Sequence, residues 1–167
     1  GIKSRLDKIL YRYDKEILLV TEGNEHSEDT FHSETSIEID DVKDMDKAKI
    51  FLEELYVPYY IPEGYEFVTL TITKKTDGTY WGQYEYTNME KNFLRLFFTN
   101  FFELESLKER VRNAVKVYET KDGNLYVCED ETMRTLVGIM LTEKMACFLN
   151  GFLTQEEILN VLQSLEK

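Results

Sequence analysis

Val68-Thr69-Leu70-Thr71-Ile72-Thr73, then Asp77-Gly78, then Tyr80-Trp81-Gly82-Gln83-Tyr84-Glu85-Tyr86-Thr87, is the stretch on which the fold turns. Val68, Leu70 and Ile72 alternate with threonines, and a period of two is the signature of a half-buried strand. Asp-Gly closes tight hairpins, because both residue types accept positive φ. The return strand places Tyr80, Gly82, Tyr84 and Tyr86 on one face and Trp81, Gln83, Glu85 and Thr87 on the other. The stretch therefore predicts an antiparallel pair, opened by the turn signal Pro62-Glu63-Gly64.

Outward from that pair the same grammar continues. Phe93 to Phe98 predicts a third strand. Val115 and Val117 alternate with Lys116 and Tyr118, and Asp122-Gly123 is a second hairpin signal. Leu125 to Cys128, Arg134 to Leu141 and Met145 to Leu149 predict three more strands. The connectors are too short for parallel crossovers, which favours an antiparallel meander. The charged segment from Glu103 to Arg112 reads as a short helical turn or an ordered loop. Thr154-Gln155-Glu156-Glu157 is a capping box, and Ile158, Leu159, Leu162 and Leu165 give the helix it opens an apolar face.

The N-terminal third has a different texture. Ile2, Leu6, Ile9, Leu10 and Tyr13 fall at helical spacing, and Ile17 to Val20 predicts a short strand. An acidic stretch follows, from Glu22 to Asp46, expected to be largely a solvated loop with a brief strand at Ile37-Glu38-Ile39. Asp44 or Asp46 can cap a helix carrying Ala48, Phe51, Leu52 and Leu55. The expected class is α+β. We expect a curved, mostly antiparallel sheet of about six or more strands, with N-terminal and C-terminal helices packed on it. Residues 1–167 are expected to form one domain, 1–56 supplying the helix, strand, acidic loop and second helix, and 57–167 the sheet and last helix.

Composition excludes whole classes of function. Of 167 residues, 20 are Lys or Arg and 32 are Asp or Glu, a net charge of −12 that repels phosphate backbones and argues against nucleic acid. With 43% hydrophobic and 13% aromatic residues, the chain has enough apolar material for a packed core. No apolar run, Ile17 to Val20 included, approaches the roughly 20 residues a membrane span needs. Gly1 stands where an initiator methionine is expected, so either processing or a tag scar is expected at this end.

Motifs of catalysis do not appear: no Gly-x-Ser-x-Gly, no Gly-rich phosphate loop, no His-Glu-x-x-His. His26 and His32, with Glu25, Glu28, Asp29 and Glu34 nearby, have the donor types for a cation, but hydrophilic loops collect such residues without binding anything. No metal, cofactor or catalytic residue is assigned. Cys128 and Cys147 each sit on a predicted strand. They can be bonded if those strands are neighbours, and otherwise are two buried thiols. Tyr59 and Tyr60 before the Pro62 turn, with Trp81 on the face opposite the tyrosines, are the candidate interaction surface; a second layer over Trp81 would bury it instead.

Tyr59-Tyr60-Ile61-Pro62-Glu63-Gly64-Tyr65-Glu66 resembles the opening signature of the domain of unknown function 4367 family, tyrosine-x-proline-x-glycine-tyrosine. Tyr84-Glu85-Tyr86-Thr87-Asn88 resembles that family's central strand. Asn150-Gly151-Phe152-Leu153-Thr154-Gln155-Glu156-Glu157-Ile158-Leu159 is similar to its closing strand, glycine and capped helix. The resemblance covers about residues 57 to 167. It implies an outward-facing domain of a membrane-anchored protein of Gram-positive bacteria, similar to anti-sigma factors, with a membrane helix upstream. It brings no catalytic residues. Where the family commonly has a tryptophan in its penultimate strand, this chain has Leu136-Val137-Gly138-Ile139-Met140.

Three functions follow as expectations. The first is a non-enzymatic, extracytoplasmic sensory or interaction domain, tethered only through an upstream anchor, whose partner is a protein or cell-envelope ligand. The alternative is a carrier of lipid or another hydrophobic ligand, with Phe93, Phe97, Phe98, Phe101 and Phe102 lining a cavity. A hydrolase with an unrecognised site ranks last.

Overall fold

The computed structural model describes residues 33–167 apart from 131 and 133. The helix predicted over Ile2 to Tyr13, the strand Ile17 to Val20, the acidic loop as far as residue 32 and both histidines lie outside the described residues. In chain order the elements are β1 (Glu34–Ile39), a 3-10 turn (Val42–Asp44), α1 (Met45–Phe51), β2 (Val57–Pro58), β3 (Glu66–Lys75), β4 (Tyr80–Thr87) and β5 (Phe93–Thr99). These are followed by α2 (Leu104–Val111), β6 (Lys116–Glu119), β7 (Gly123–Asp130), β8 (Thr135–Thr142), β9 (Ala146–Gly151), α3 (Gln155–Gln163) and β10 (Leu165–Glu166). The class is α+β, built on one eight-stranded sheet in which every pair is antiparallel.

The strand order, β1-β3-β4-β5-β9-β8-β7-β6, corrects the simple meander. Two meanders, β3 to β5 and β6 to β9, are joined so that β9 returns to pair with β5. From β5 to the far edge at β6 are four strand spacings, about 19 Å. The charged segment spans that gap as the eight-residue helix α2, about 12 Å long, with its flanking coil. It lies against the sheet through Leu107 and Val111, both buried.

The sheet has two apolar faces. The larger core takes Leu70 and Ile72 from β3, the tyrosines of β4, Leu94, Leu96 and Phe98 from β5, and Cys147 and Leu149 from β9. Over it lie Ala48 of α1, Leu52, Leu55 and the apolar face of α3. Leu52 and Leu55 are buried as their spacing predicts, but they follow the helix, which stops at Phe51. Asp41, not Asp44 or Asp46, supplies the capping carboxylate, accepting from the Lys43 N–H at 2.9 Å to open the 3-10 turn. The second core lies on the opposite face, where Trp81, Phe97, Cys128, Ile139 and Phe148 meet α2.

α3 can sit close to the sheet because β8 offers it no side chain at Gly138. A Cβ there would run into Ile158 Cγ2, and would fall 2.9 Å from Leu162 Cδ1. The capping box that starts α3 is present in both directions. The Glu157 N–H donates to Thr154 Oγ1 at 3.1 Å, and the Thr154 N–H donates to Glu157 Oε1 at 2.9 Å.

Within β3 the predicted alternation slips once. A bulge between Phe67 and Thr69 turns Val68 outward and brings Phe67 to the core, edge-on to Tyr86 with centroids 5.8 Å apart.

Candidate interaction surface

Tyr59 and Tyr60 are positioned by the two-stranded sheet of β2 and β10, in which Pro58 is paired with Leu165 and Val57 with Glu166. This pairing brings them to Ser164, at the end of α3. Ser164 Oγ accepts the N–H of Tyr59 at 3.1 Å and of Tyr60 at 3.0 Å, while its own hydroxyl donates to the Val161 carbonyl at 2.6 Å. One hydroxyl thus joins the tyrosine backbone to a helix whose apolar face is buried. Their side chains remain in water, 60% exposed for Tyr59 and 39% for Tyr60.

α1 completes the surface. The Lys49 ammonium donates to the Tyr59 hydroxyl at 3.4 Å and lies 6.0 Å from its ring centroid. Beside it, Ile50 is 84% exposed. Neither residue was singled out from the sequence, although Ile50 stands off the stripe formed by Ala48, Phe51 and Leu52. An apolar residue on the solvent side of a helix was the available signal.

Trp81 does not belong to this surface, which corrects the expected grouping. It lies in the second core, 9% exposed, under α2 and with the Lys75 ammonium 5.7 Å from its ring. The second layer that would bury it is present, and the two tyrosines lie on the other side of the sheet.

Neither Cys128 nor Cys147 is in a disulfide. Cys128 on β7 and Cys147 on β9 are separated by β8 and face opposite cores, so no disulfide can join them. Burial pushes the Cys147 thiol well above its ordinary range. The five phenylalanines do not line one cavity either. Phe98 is in the first core and Phe97 in the second, while Phe93 and Phe101 are 45% and 36% exposed.

Two open clefts flank the end of the sheet nearest Tyr80. The larger, about 940 Å³, lies between α1 and the β3–β4 hairpin, with Lys49, Glu53, Lys74 and Lys75 in its walls. The smaller, about 340 Å³, is bounded by Glu54, Tyr56, Lys121, Asp122 and Lys167. Tyr80 reaches both, and burial, followed by Glu54, pushes its phenol up to about 12. Lys74 is committed to structure: it donates to the Phe51 carbonyl at 2.6 Å and covers the Phe51 ring at 4.5 Å. Glu34, one of the acids beside the histidines, lies 3.9 Å from Lys75. Among the described residues no three His, Cys, Asp or Glu side chains gather around a metal-sized space, and no helix is long and apolar enough to cross a membrane.

Comparison with protein-family models, with curated proteins and with solved structures gives no match.

Proposed function

We propose that this chain is a non-enzymatic sensory or protein-interaction domain, displayed outside the cytoplasm by a membrane-anchored regulator. The observation that carries this reading is the Tyr59–Tyr60 pair, exposed yet fixed by Ser164 and met at Tyr59 by Lys49 of α1. A backbone already ordered loses little entropy on binding, and tyrosine offers a large contact area with few rotatable bonds. The segment carrying the pair is also the one that resembles the opening signature of the domain of unknown function 4367 family, which supports the extracytoplasmic placement. A ligand would act as a signal by favouring one of two arrangements of the domain.

The test uses the natural full-length protein in intact cells, with Tyr60 replaced by a photo-crosslinking phenylalanine analogue. The expected result is cleavage of the domain by protease added outside the cells and a discrete crosslinked product. Protection until the cells are lysed would overturn the location. Efficient cleavage with no product from position 60 would overturn the surface.

A further inference from the structure

At the opposite end of the sheet from the two clefts, three large apolar side chains stand in water. Met89 is 99% exposed, Phe152 67% and Phe93 45%. Met89 lies in the β4–β5 loop. Phe93 and Phe152 flank the pair formed by Leu94 and Gly151, so β5 and the end of β9 bring them to the same edge.

The loop holding Met89 is tightly ordered. Asn88 Oδ1 accepts the N–H of Glu90 at 3.0 Å and of Asn92 at 2.9 Å. The Asn88 N–H donates to the Asn92 carbonyl at 3.2 Å, and the Lys91 N–H donates to the Asn88 carbonyl at 3.0 Å. Lys91 closes the loop at φ 64°, a left-handed conformation that a side chain disfavours. The β7–β8 turn at the same end has the other non-glycine residue of this kind among the described residues, Arg134 at φ 56°. A loop so constrained keeps Met89 out in solvent, where an unconstrained one could fold it back. Methionine is also the apolar side chain best able to adapt to a partner's shape.

The surroundings are acidic. Glu63, Glu66, Glu90 and Glu156 are exposed at this end, against the exposed cations Lys91 and Arg134. Arg95 is paired with Glu85 at 2.9 Å, and its guanidinium lies 4.8 Å from the Phe93 ring centroid. Tyr65 registers the local field: burial first, then Glu157 and Glu90, raise its phenol. A second copy of this chain, at net charge −12, would be repelled, as would an anionic bilayer.

We propose that the sheet end bearing Met89, Phe93 and Phe152 is a docking surface for a cationic amphipathic segment of a partner protein. Its apolar side chains would meet the methionine and phenylalanines, and its lysines or arginines the surrounding glutamates. This surface is separate from the Tyr59–Tyr60 pair and stands or falls without it.

The test titrates the isotopically labelled chain with a short amphipathic Leu/Lys peptide and with its Leu/Glu counterpart, following amide and methionine methyl resonances. Saturable shifts centred on Met89, Phe93 and Phe152 are expected with Leu/Lys alone, weakening as salt is added. The M89S/F152S double variant should weaken binding about tenfold or more. Both positions are exposed, so its amide spectrum should otherwise match the parent. A Y59A/Y60A variant should bind the peptide as the parent does, which separates the two surfaces. Equal binding of the Leu/Glu peptide, shifts spread over the acidic residues of β1 and α1, or undiminished binding by M89S/F152S would overturn the proposal. Self-association, or binding to phosphatidylcholine vesicles, that M89S/F152S abolishes would also overturn it, giving the surface to a second copy or to lipid.

Discussion

The hydroxyl of Tyr84, at the middle of β4, donates to the backbone carbonyl of Tyr56 at 2.8 Å. Tyr84 is fully buried, and its phenol is pushed far above its ordinary range, chiefly by burial. Such a group must find a partner. The partner is the segment that leads into β2, so the centre of the sheet helps to fix the strand from which Tyr59 and Tyr60 emerge.

Replacing Tyr84 by Phe keeps the ring and orphans the Tyr56 carbonyl. The expected loss is about 1–3 kcal/mol, read as a lower urea midpoint with an unchanged slope. Amide exchange at Val57, Tyr59 and Tyr60 should quicken more than at Leu70 or Leu96. Uniform acceleration across the sheet would show that the bond supports the whole fold and not this segment in particular.

Gly138 offers a sharper steric test. G138A places a methyl group against Ile158 and Leu162, and α3 must move outward to admit it. Overpacking of this kind costs about 1–3 kcal/mol. A G138A/I158L double variant, whose leucine lacks the Cγ2 methyl that the new Cβ would meet, should lose less in thermal unfolding than the two single variants summed. Additive losses would mean that α3 does not press on β8 at this point.

The period-two segments were the most legible part of the fold, because strands buried on one face state their alternation directly. The pairing of β3 with β4, with Tyr80, Tyr84 and Tyr86 facing one core and Trp81 the other, is present as read. Asp77-Gly78 marks a turn, and Gly78 adopts φ +91° there. Asp122-Gly123 also lies at a hairpin, but the turn is held by Thr120, whose Oγ1 donates to the Gly123 carbonyl at 2.6 Å, and Gly123 already belongs to β7. The order of strands was not legible. A charged helix of two turns carries few apolar residues, so α2 gave little sign that it moves the chain from the sheet's centre to its edge. Whether Trp81 lay on an outer surface or under a second layer stayed open for the same reason, since its cover comes from that helix. The tyrosine surface was half legible: Tyr59 and Tyr60 stand out in the chain, whereas Ser164 lies more than a hundred positions away.

Removing the Ser164 hydroxyl tests how firmly that surface is held. S164A deletes the acceptor for two backbone N–H groups and a donor to Val161. The Tyr59 N–H retains the Ser164 carbonyl at 3.3 Å, so Tyr60 should be affected more. The expected cost is about 1 kcal/mol in global stability, with faster exchange concentrated at Tyr60. Unchanged exchange there would mean that pairing of β2 with β10 alone orders the segment.

Alkaline pH should unfold this protein through groups that cannot ionise where they lie. Burial raises Cys147 from an ordinary value of 9.0, and Tyr80 from 10.0 to about 12. Tyr84 and Tyr86 are raised further than Tyr80, mainly by burial. Below pH 9 these groups are protonated in both the folded and the unfolded chain, so their protonated form leaves stability undiminished. Above it the unfolded chain releases protons that the folded chain retains, and stability falls with rising pH. The decline should begin near pH 9 with the thiol, steepen above pH 10 as the phenols join, and level off for Tyr80 only above about pH 12. Urea midpoints measured from pH 8 to 11 should show both segments. C147A should flatten the first and leave the second, and a thiol reagent should reach neither cysteine until the chain unfolds. A stability profile flat through pH 11 would mean that water reaches Tyr84 and Cys147 in the folded state, against the close packing that surrounds both.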